Sequence, residues 1–219
     1  GKVALYSEYE YRGISQTSEK PAGQLNLDYG HSSGFYFGTF VSNVKWLKDT
    51  AEVGGFSTSN KIEWDIYAGY KFEVAKDLLL DVGYLHYEYP SSGTFAVSPN
   101  TDEVYAGLTY GMFNVKYSYS TGDIFGFANG KGSTFIEGNV AVPLMDGKVT
   151  LTGHIGHQKF KNNDDFSYTV YKVGAVYDFG GGLTAGGYYK GTDAEEALWT
   201  VKGRDWSKDR LVAFVAYAF

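Results

Sequence analysis

The chain has 219 residues, with 19 Lys and Arg against 25 Asp and Glu, so its formal net charge is -6, and it contains no cysteine. The lack of cysteine excludes disulfide scaffolds, Cys-based zinc sites and Cys nucleophiles, and the acidic balance argues against nucleic-acid binding. No stretch reaches the roughly 18 to 20 uncharged apolar residues of a membrane helix, which excludes a helical membrane protein. The content of 20 Tyr, 15 Phe and 29 Gly indicates an all-β protein, either soluble or in an outer membrane.

Twelve runs along the chain alternate between apolar and polar residues with the period of two that indicates β-strands. Clusters of Gly, Asn, Asp and Ser bound them, and no convincing amphipathic helix is predicted. The runs cover residues 2–13, 22–31, 35–46, 61–73, 78–89, 101–110, 112–121, 133–144, 148–160, 168–179, 183–191 and 208–219.

Long and short connections alternate between these runs. Odd-numbered connections such as KWLKDTAEVGGFSTSN are long, whereas even-numbered ones such as HSSG and FGGG are short. This alternation around an even number of strands is typical of transmembrane barrels with long external loops and tight periplasmic turns. We therefore predict that residues 1–219 form a single domain, a 12-stranded antiparallel up-and-down transmembrane β-barrel in the bacterial outer membrane.

The two faces of the predicted strands differ in polarity. In residues 61–73, for example, Ile62, Trp64 and Ile66 alternate with Glu63 and Asp65. A lumen enclosed by twelve strands is too wide for Gly, Ser and Glu to fill as a dry core, so the apolar face should contact lipid.

Aromatic residues on the apolar phase cluster near both strand ends, as in the interfacial girdles of membrane barrels. The periplasmic girdle is predicted from Tyr70, Phe72, Tyr110, Phe113, Tyr177, Phe179, Tyr217 and Phe219. The opposite girdle is predicted from Tyr9, Tyr11, Trp64, Tyr119, Tyr171 and Tyr189. The last run ends at Phe219, which is typical of the C-terminal strand that the barrel-assembly machinery recognises.

Residues 11–17, YRGISQT, and residues 21–44, PAGQLNLDYGHSSGFYFGTFVSNV, resemble the N-terminal region of the TorF family of proteobacterial outer-membrane barrels. The resemblance implies an outer-membrane barrel that passes small solutes. It implies no catalytic residue and no particular substrate.

Charged residues on the polar phase are the candidate pore-lining groups. Acidic residues prevail on the first six runs and basic residues on the last six, which predicts opposed acidic and basic walls that orient dipolar solutes. Arg210 is also within plausible reach of Glu8 and Glu10 at the seam of the barrel. The predicted pore-lining residues are Glu8, Glu10, Arg12, Asp28, Glu63, Asp65, Glu103, Lys116, Glu137, His154, Lys172, Lys190 and Arg210.

Two motifs suggest chemistry but lie in the wrong context. The GHSSG sequence at residues 30–34 matches the nucleophile elbow of hydrolases, yet it connects two predicted strands instead of a strand and a helix. The glycines near Lys131 resemble a phosphate-binding loop, but the spacing between the glycines is one residue short of that motif and no helix is predicted to follow. No catalytic residue, metal site or cofactor is therefore predicted.

The sequence thus predicts a non-enzymatic, porin-like channel for passive diffusion of small polar or zwitterionic solutes. Its expected partners are the lipid bilayer, lipopolysaccharide, the barrel-assembly machinery and the solutes themselves. Two alternatives stay open. One is an outer-membrane lipid hydrolase using His157 on the lipid face, and the other is a plugged structural or adhesive barrel that acts through external loops such as residues 190–207.

Overall fold

The computed structural model describes residues 1–219, and twelve of its strands close into one antiparallel barrel. Wall strands that follow one another along the chain are neighbours in the barrel, and the first wall strand pairs with the last. The predicted up-and-down barrel is therefore confirmed. In chain order the strands are β1 (Lys2–Tyr6), β2 (Glu10–Tyr11), β3 (Ile14–Ser15), β4 (Ala22–Gly30), β5 (Phe35–Asn43), β6 (Ile62–Ala75), β7 (Leu78–Glu88), β8 (Thr101–Tyr110), β9 (Phe113–Ser120), β10 (Thr134–Leu144), β11 (Val149–Lys159), β12 (Tyr168–Gly180), β13 (Leu183–Thr192), β14 (Thr200–Val201), β15 (Arg204–Asp205) and β16 (Arg210–Ala218).

Four of these strands do not belong to the barrel wall. β2 pairs with β3, and β14 pairs with β15, in two small hairpins. The first of these corrects the predicted strand over residues 2–13, because β1 leaves the wall after Tyr6. The chain then turns inward, and we call residues 10–15 the inward hairpin.

Two helices lie in the long connections, where none was predicted. They are α1 (Trp46–Gly54) and α2 (Glu196–Trp199), and a 3-10 turn covers Asp164–Phe166. At nine residues α1 is shorter than the window in which helical periodicity becomes evident. Neither helix is long and apolar enough to cross a bilayer.

The two ends of the barrel differ in their connections, as predicted. The short-turn end carries tight turns such as the one between β8 and β9, and the long-loop end carries the helices and the small hairpins. The inward hairpin enters the lumen from the long-loop end, which is where β1 ends.

The outer surface is apolar along the phase predicted to contact lipid. Leu211 is 80% exposed and Val173 62%, whereas Val212, one residue along β16, is 1% exposed. Lipid is the environment in which such a belt is stable, so the barrel spans a membrane. The predicted girdle residues are exposed except for Tyr9 and Tyr11, which the inward turn places inside the barrel.

Candidate functional site: the barrel interior

The inward hairpin occupies the middle of the lumen. Its turn is formed by Arg12 and Gly13, with φ values of 49° and 86°, the backbone shape of a tight hairpin turn. The Gly13 N–H donates to Glu10 Oε2 at 2.7 Å, which closes the turn. The Arg-Gly pair at the end of the predicted strand over residues 2–13 is thus the one local signal of this turn.

Arg12 is held on the opposite wall. Its Nη1 and Nη2 donate to Glu103 Oε1 and Oε2 at 2.9 and 2.7 Å, and Nη1 also donates to Gln158 at 2.8 Å. The guanidinium lies 4.4 Å from the centroid of the Phe135 ring, and both charged side chains are buried. A buried, two-point ion pair of this kind fixes orientation as well as charge.

Glu8 and Glu10, which follow β1 in the chain, pair with basic residues of two wall strands. Glu10 accepts a hydrogen bond from Lys172 Nζ on β12 at 2.7 Å, and Glu8 accepts one from Arg210 on β16 at 2.8 Å. Of the two contacts predicted for Arg210 at the seam of the barrel, the one with Glu8 is therefore present. Arg12 of the inward hairpin thus pairs with an acid of β8, and Glu10 of the same hairpin pairs with a base of β12.

Lys190, a predicted pore-lining residue, lies behind the inward hairpin. Its side chain is fully buried, and Nζ donates to the backbone oxygen of Gly13 at 2.8 Å. Its position links the hairpin to β13.

Glu63 and Asp65 are neighbours on the inner face of β6. Tyr9 and Tyr89 donate to the two oxygens of Glu63 at 2.5 and 2.6 Å. The Oδ1 atom of Asp65 is buried without a hydrogen-bond partner. These two carboxylates form no ion pair with a basic side chain.

The remaining predicted residues line the half of the lumen toward the short-turn end. Lys116 Nζ lies 4.1 Å from the centroid of the Tyr105 ring, and His154 Nδ1 lies 3.5 Å from a Glu137 oxygen. Asp28 accepts a hydrogen bond from Tyr67. This half is therefore lined by tyrosine as much as by charge, a feature that the charge pattern did not reveal.

Two cavities lie on opposite sides of the inward hairpin. The one toward the short-turn end, which we call the polar cavity, measures about 580 Å³ and reaches from Glu10 to the β8–β9 turn at Met112. The one toward the long-loop end, which we call the aromatic cavity, measures about 410 Å³ and is lined by Tyr11, Arg12 and residues of the long loops. The hairpin is the constriction between them.

The motifs and histidines that suggested chemistry do not assemble a catalytic site. His31 Nδ1 contacts Ser33 Oγ at 2.9 Å within the exposed β4–β5 turn, and no helix follows. His157 lies on the exposed outer face, where its hydrogen-bond partner is Thr169 at 3.2 Å and not a serine. His86 lies at the outer rim between Asp102 and Glu88.

Solved bacterial barrels share this fold. The KdgM porin matches with a TM-score of 0.63 at 11% sequence identity, covering 100% of this chain and 99% of that chain. The NanC porin matches with a TM-score of 0.63 at 12% identity, covering 100% and 98% of the two chains. Omp33 of Acinetobacter baumannii matches with a TM-score of 0.53 at 8% identity, covering 100% and 97%.

At these identities the likeness is one of fold. No curated protein is significantly similar to the chain in sequence. A family model described as "Bacterial protein of unknown function (Gcw_chp)" matches residues 1–219. Bacterial transmembrane β-barrels are proteins of the outer membrane, so the closed wall and its apolar belt place the chain there. Because the family model matches the whole of this sequence, the chain belongs to the Gcw_chp family of bacterial proteins.

Proposed function

We propose that this barrel is a porin-like channel, of the TorF type, for passive diffusion of small polar or zwitterionic solutes. The observation that carries the proposal is the pair of cavities in the lumen, about 580 and 410 Å³, with the inward hairpin between them. A solute would pass beside this hairpin, and weak binding on either side would let it leave.

The proposed selectivity comes from charge on the lumen walls. β6 and β12 are separated by half the circumference of the barrel, so Glu63 and Asp65 lie across the lumen from Lys172. The inward hairpin neutralises part of this charge, because Glu10 pairs with Lys172. Glu63, Asp65 and Lys116 have no ion-pair partner. Close walls with opposite charge orient a dipolar solute.

Single-channel recording in a planar bilayer tests this function. The folded protein should conduct, and Lys116→Gln or Lys172→Gln should shift the permeability ratio toward cations. Lys131→Gln, in an exposed loop, is the matched control and should change nothing. A folded protein that never conducts would overturn the channel, as would conduction that both lumen variants leave unaltered.

Occlusion of the lumen by the inward hairpin favours one other function, a plugged structural or adhesive barrel. That function predicts no conductance before or after the hairpin is loosened. We propose no enzymatic activity, and release of fatty acid by detergent-solubilised protein, abolished in His157→Ala, would contradict us.

The proposed partners follow from the surface. Lipid and lipopolysaccharide would contact the apolar belt and the long-loop end, and the barrel-assembly machinery would bind β16 and Phe219. Residues 1–219 would act as one barrel domain without nucleic acid or cofactor.

A further inference from the structure

The aromatic cavity differs in chemistry from the rest of the lumen. Sixteen of its 21 lining residues are hydrophobic, and they come from α1, α2 and the long connections near Phe95 and Phe125. Its volume of about 410 Å³ falls within the range of small-molecule sites, roughly 300 to 1,000 Å³. The cavity is therefore large enough for a ligand of one or two rings.

Three of the four tryptophans line this cavity, namely Trp46, Trp199 and Trp206. The indole Nε1 of each is buried and has no hydrogen-bond partner, and Trp206 is only 5% exposed. The fourth, Trp64, lies on the outer face and donates to Thr39 Oγ1 at 2.7 Å. Because an unpaired buried donor costs about 1 to 3 kcal/mol, a molecule that supplies acceptor oxygens here gains affinity.

The walls are aromatic and packed edge to face. Trp46 and Tyr89 have ring centroids 5.3 Å apart at 86°, and Trp199 and Tyr168 have centroids 5.6 Å apart at 83°. Rings held in this way offer rigid faces and edges to another ring.

The cavity offers no free charge. Arg12 is the only ionisable side chain of its lining apart from the tyrosines, and its guanidinium is already bonded to Glu103 and Gln158. An acidic solute therefore finds no unpaired cation. A sugar would leave many of its hydroxyl groups without partners among the apolar walls.

We propose that the aromatic cavity binds uncharged aromatic molecules that carry acceptor oxygens, such as alkyl esters of aromatic acids and aryl ketones. The ring would pack among the tryptophans, and the oxygens would accept hydrogen bonds from the unpaired indole N–H groups once a tryptophan ring turns its N–H toward the cavity. The inference goes beyond the proposed channel, because it assigns a binding site at the long-loop end whether or not these molecules pass through the lumen.

Ligand-observed fluorine NMR on the folded full chain in detergent tests this proposal, with methyl 4-fluorobenzoate as the probe. Protein-free micelles measure partition of the probe into detergent. We expect saturable binding above that background and at least tenfold weaker binding of the charged 4-fluorobenzoate. Absence of saturable binding, or equal binding of the charged acid, would overturn the inference.

Tryptophan-to-phenylalanine variants test the hydrogen bond separately from the ring. Trp206→Phe should weaken binding of the ester about 2- to 10-fold, the range that one hydrogen bond supplies, and should not alter binding of 4-fluoro-ethylbenzene, which has no acceptor. Trp64→Phe is the matched control and should change neither. Trp46→Phe and Trp199→Phe give the same test if Trp206→Phe does not fold. Equal binding of the ester to all variants would overturn the assigned donors.

Conductance is measured independently of this binding. Conduction without ester binding would overturn this inference and leave the channel standing. Binding without conduction would overturn the channel and leave the aromatic site standing.

Discussion

Arg12 and Glu103 form a two-point ion pair across the lumen, although 91 residues separate them in the sequence. Arg12 belongs to the turn of the inward hairpin and Glu103 to the wall strand β8. The pair therefore fastens the constriction to the barrel wall.

Glu103→Gln should loosen this attachment. Removing one partner of a buried ion pair costs about 3 to 5 kcal/mol, because the other charge is left unpaired away from water. We expect a lower free energy of unfolding in urea and a larger single-channel conductance. Glu52→Gln, which breaks an exposed pair with Lys202, is the control and should leave both unchanged. Similar effects of the two variants would contradict this role for Arg12.

Gly13→Ala should destabilise the hairpin by crowding. Gly13 has a φ of 86°, and a methyl group there would lie 2.7 Å from Val170 Cγ2 and from Thr192 Cγ2. Gly203 has a φ of 71° with nothing within 4 Å, so Gly203→Ala matches the backbone strain without the collision. Overpacking costs about 1 to 3 kcal/mol, and urea unfolding should show this difference between the variants. Equal urea midpoints for the two variants would contradict this, because they would show that the hairpin accommodates the added methyl group without cost.

Lys190→Met should increase the mobility of the hairpin. The substitution removes the donor to the Gly13 carbonyl but keeps an unbranched side chain of similar length. Loss of about 1 to 3 kcal/mol at a buried carbonyl corresponds to roughly 5- to 150-fold faster opening. Hydrogen exchange of the backbone amides in residues 10–15 measures this opening rate. Lys148→Met, exposed at the short-turn end, should leave that exchange as in the native protein.

Docking of α1 should depend on pH through Asp49. Asp49 accepts a hydrogen bond from Ser18 at 2.5 Å and pairs with Lys45 at 3.0 Å. Burial raises the pKa of the Asp49 carboxyl, but the hydrogen bonds from Ser18 and Lys45 outweigh burial and hold the pKa below its ordinary value of 3.8. A lowered pKa stabilises the folded state above the unfolded value, and this stabilisation is lost as pH falls through the folded value.

Hydrogen exchange over α1 should therefore be constant from about pH 8 down to about pH 5, once corrected for its intrinsic pH dependence, and should quicken below pH 4. Asp49→Asn should remove the acid-dependent step. A step that persists in Asp49→Asn would assign it to another carboxyl.

Much of the barrel was predictable from local pattern. Alternation with a period of two fixes which side of a strand meets lipid, and short turns fix which strands are neighbours. Ile62, Trp64 and Ile66 were therefore placed correctly on the lipid face from sequence. Strand alternation and short turns each involve only a few residues, so both can be recognised without knowledge of the rest of the chain.

The interior was decided by contacts that no local pattern encodes. Residues 8–13 continue the alternation of β1, so the same polar phase suits a wall strand or an inward turn. The inward turn is stabilised by two long-range ion pairs. Glu10 pairs with Lys172, 162 residues away, and Arg12 pairs with Glu103, 91 residues away. Trp46 and Trp206 likewise meet around one cavity only because the barrel closes. Composition and alternation thus determined a membrane barrel, whereas the tertiary structure determined where its lumen narrows and what its long-loop end can hold.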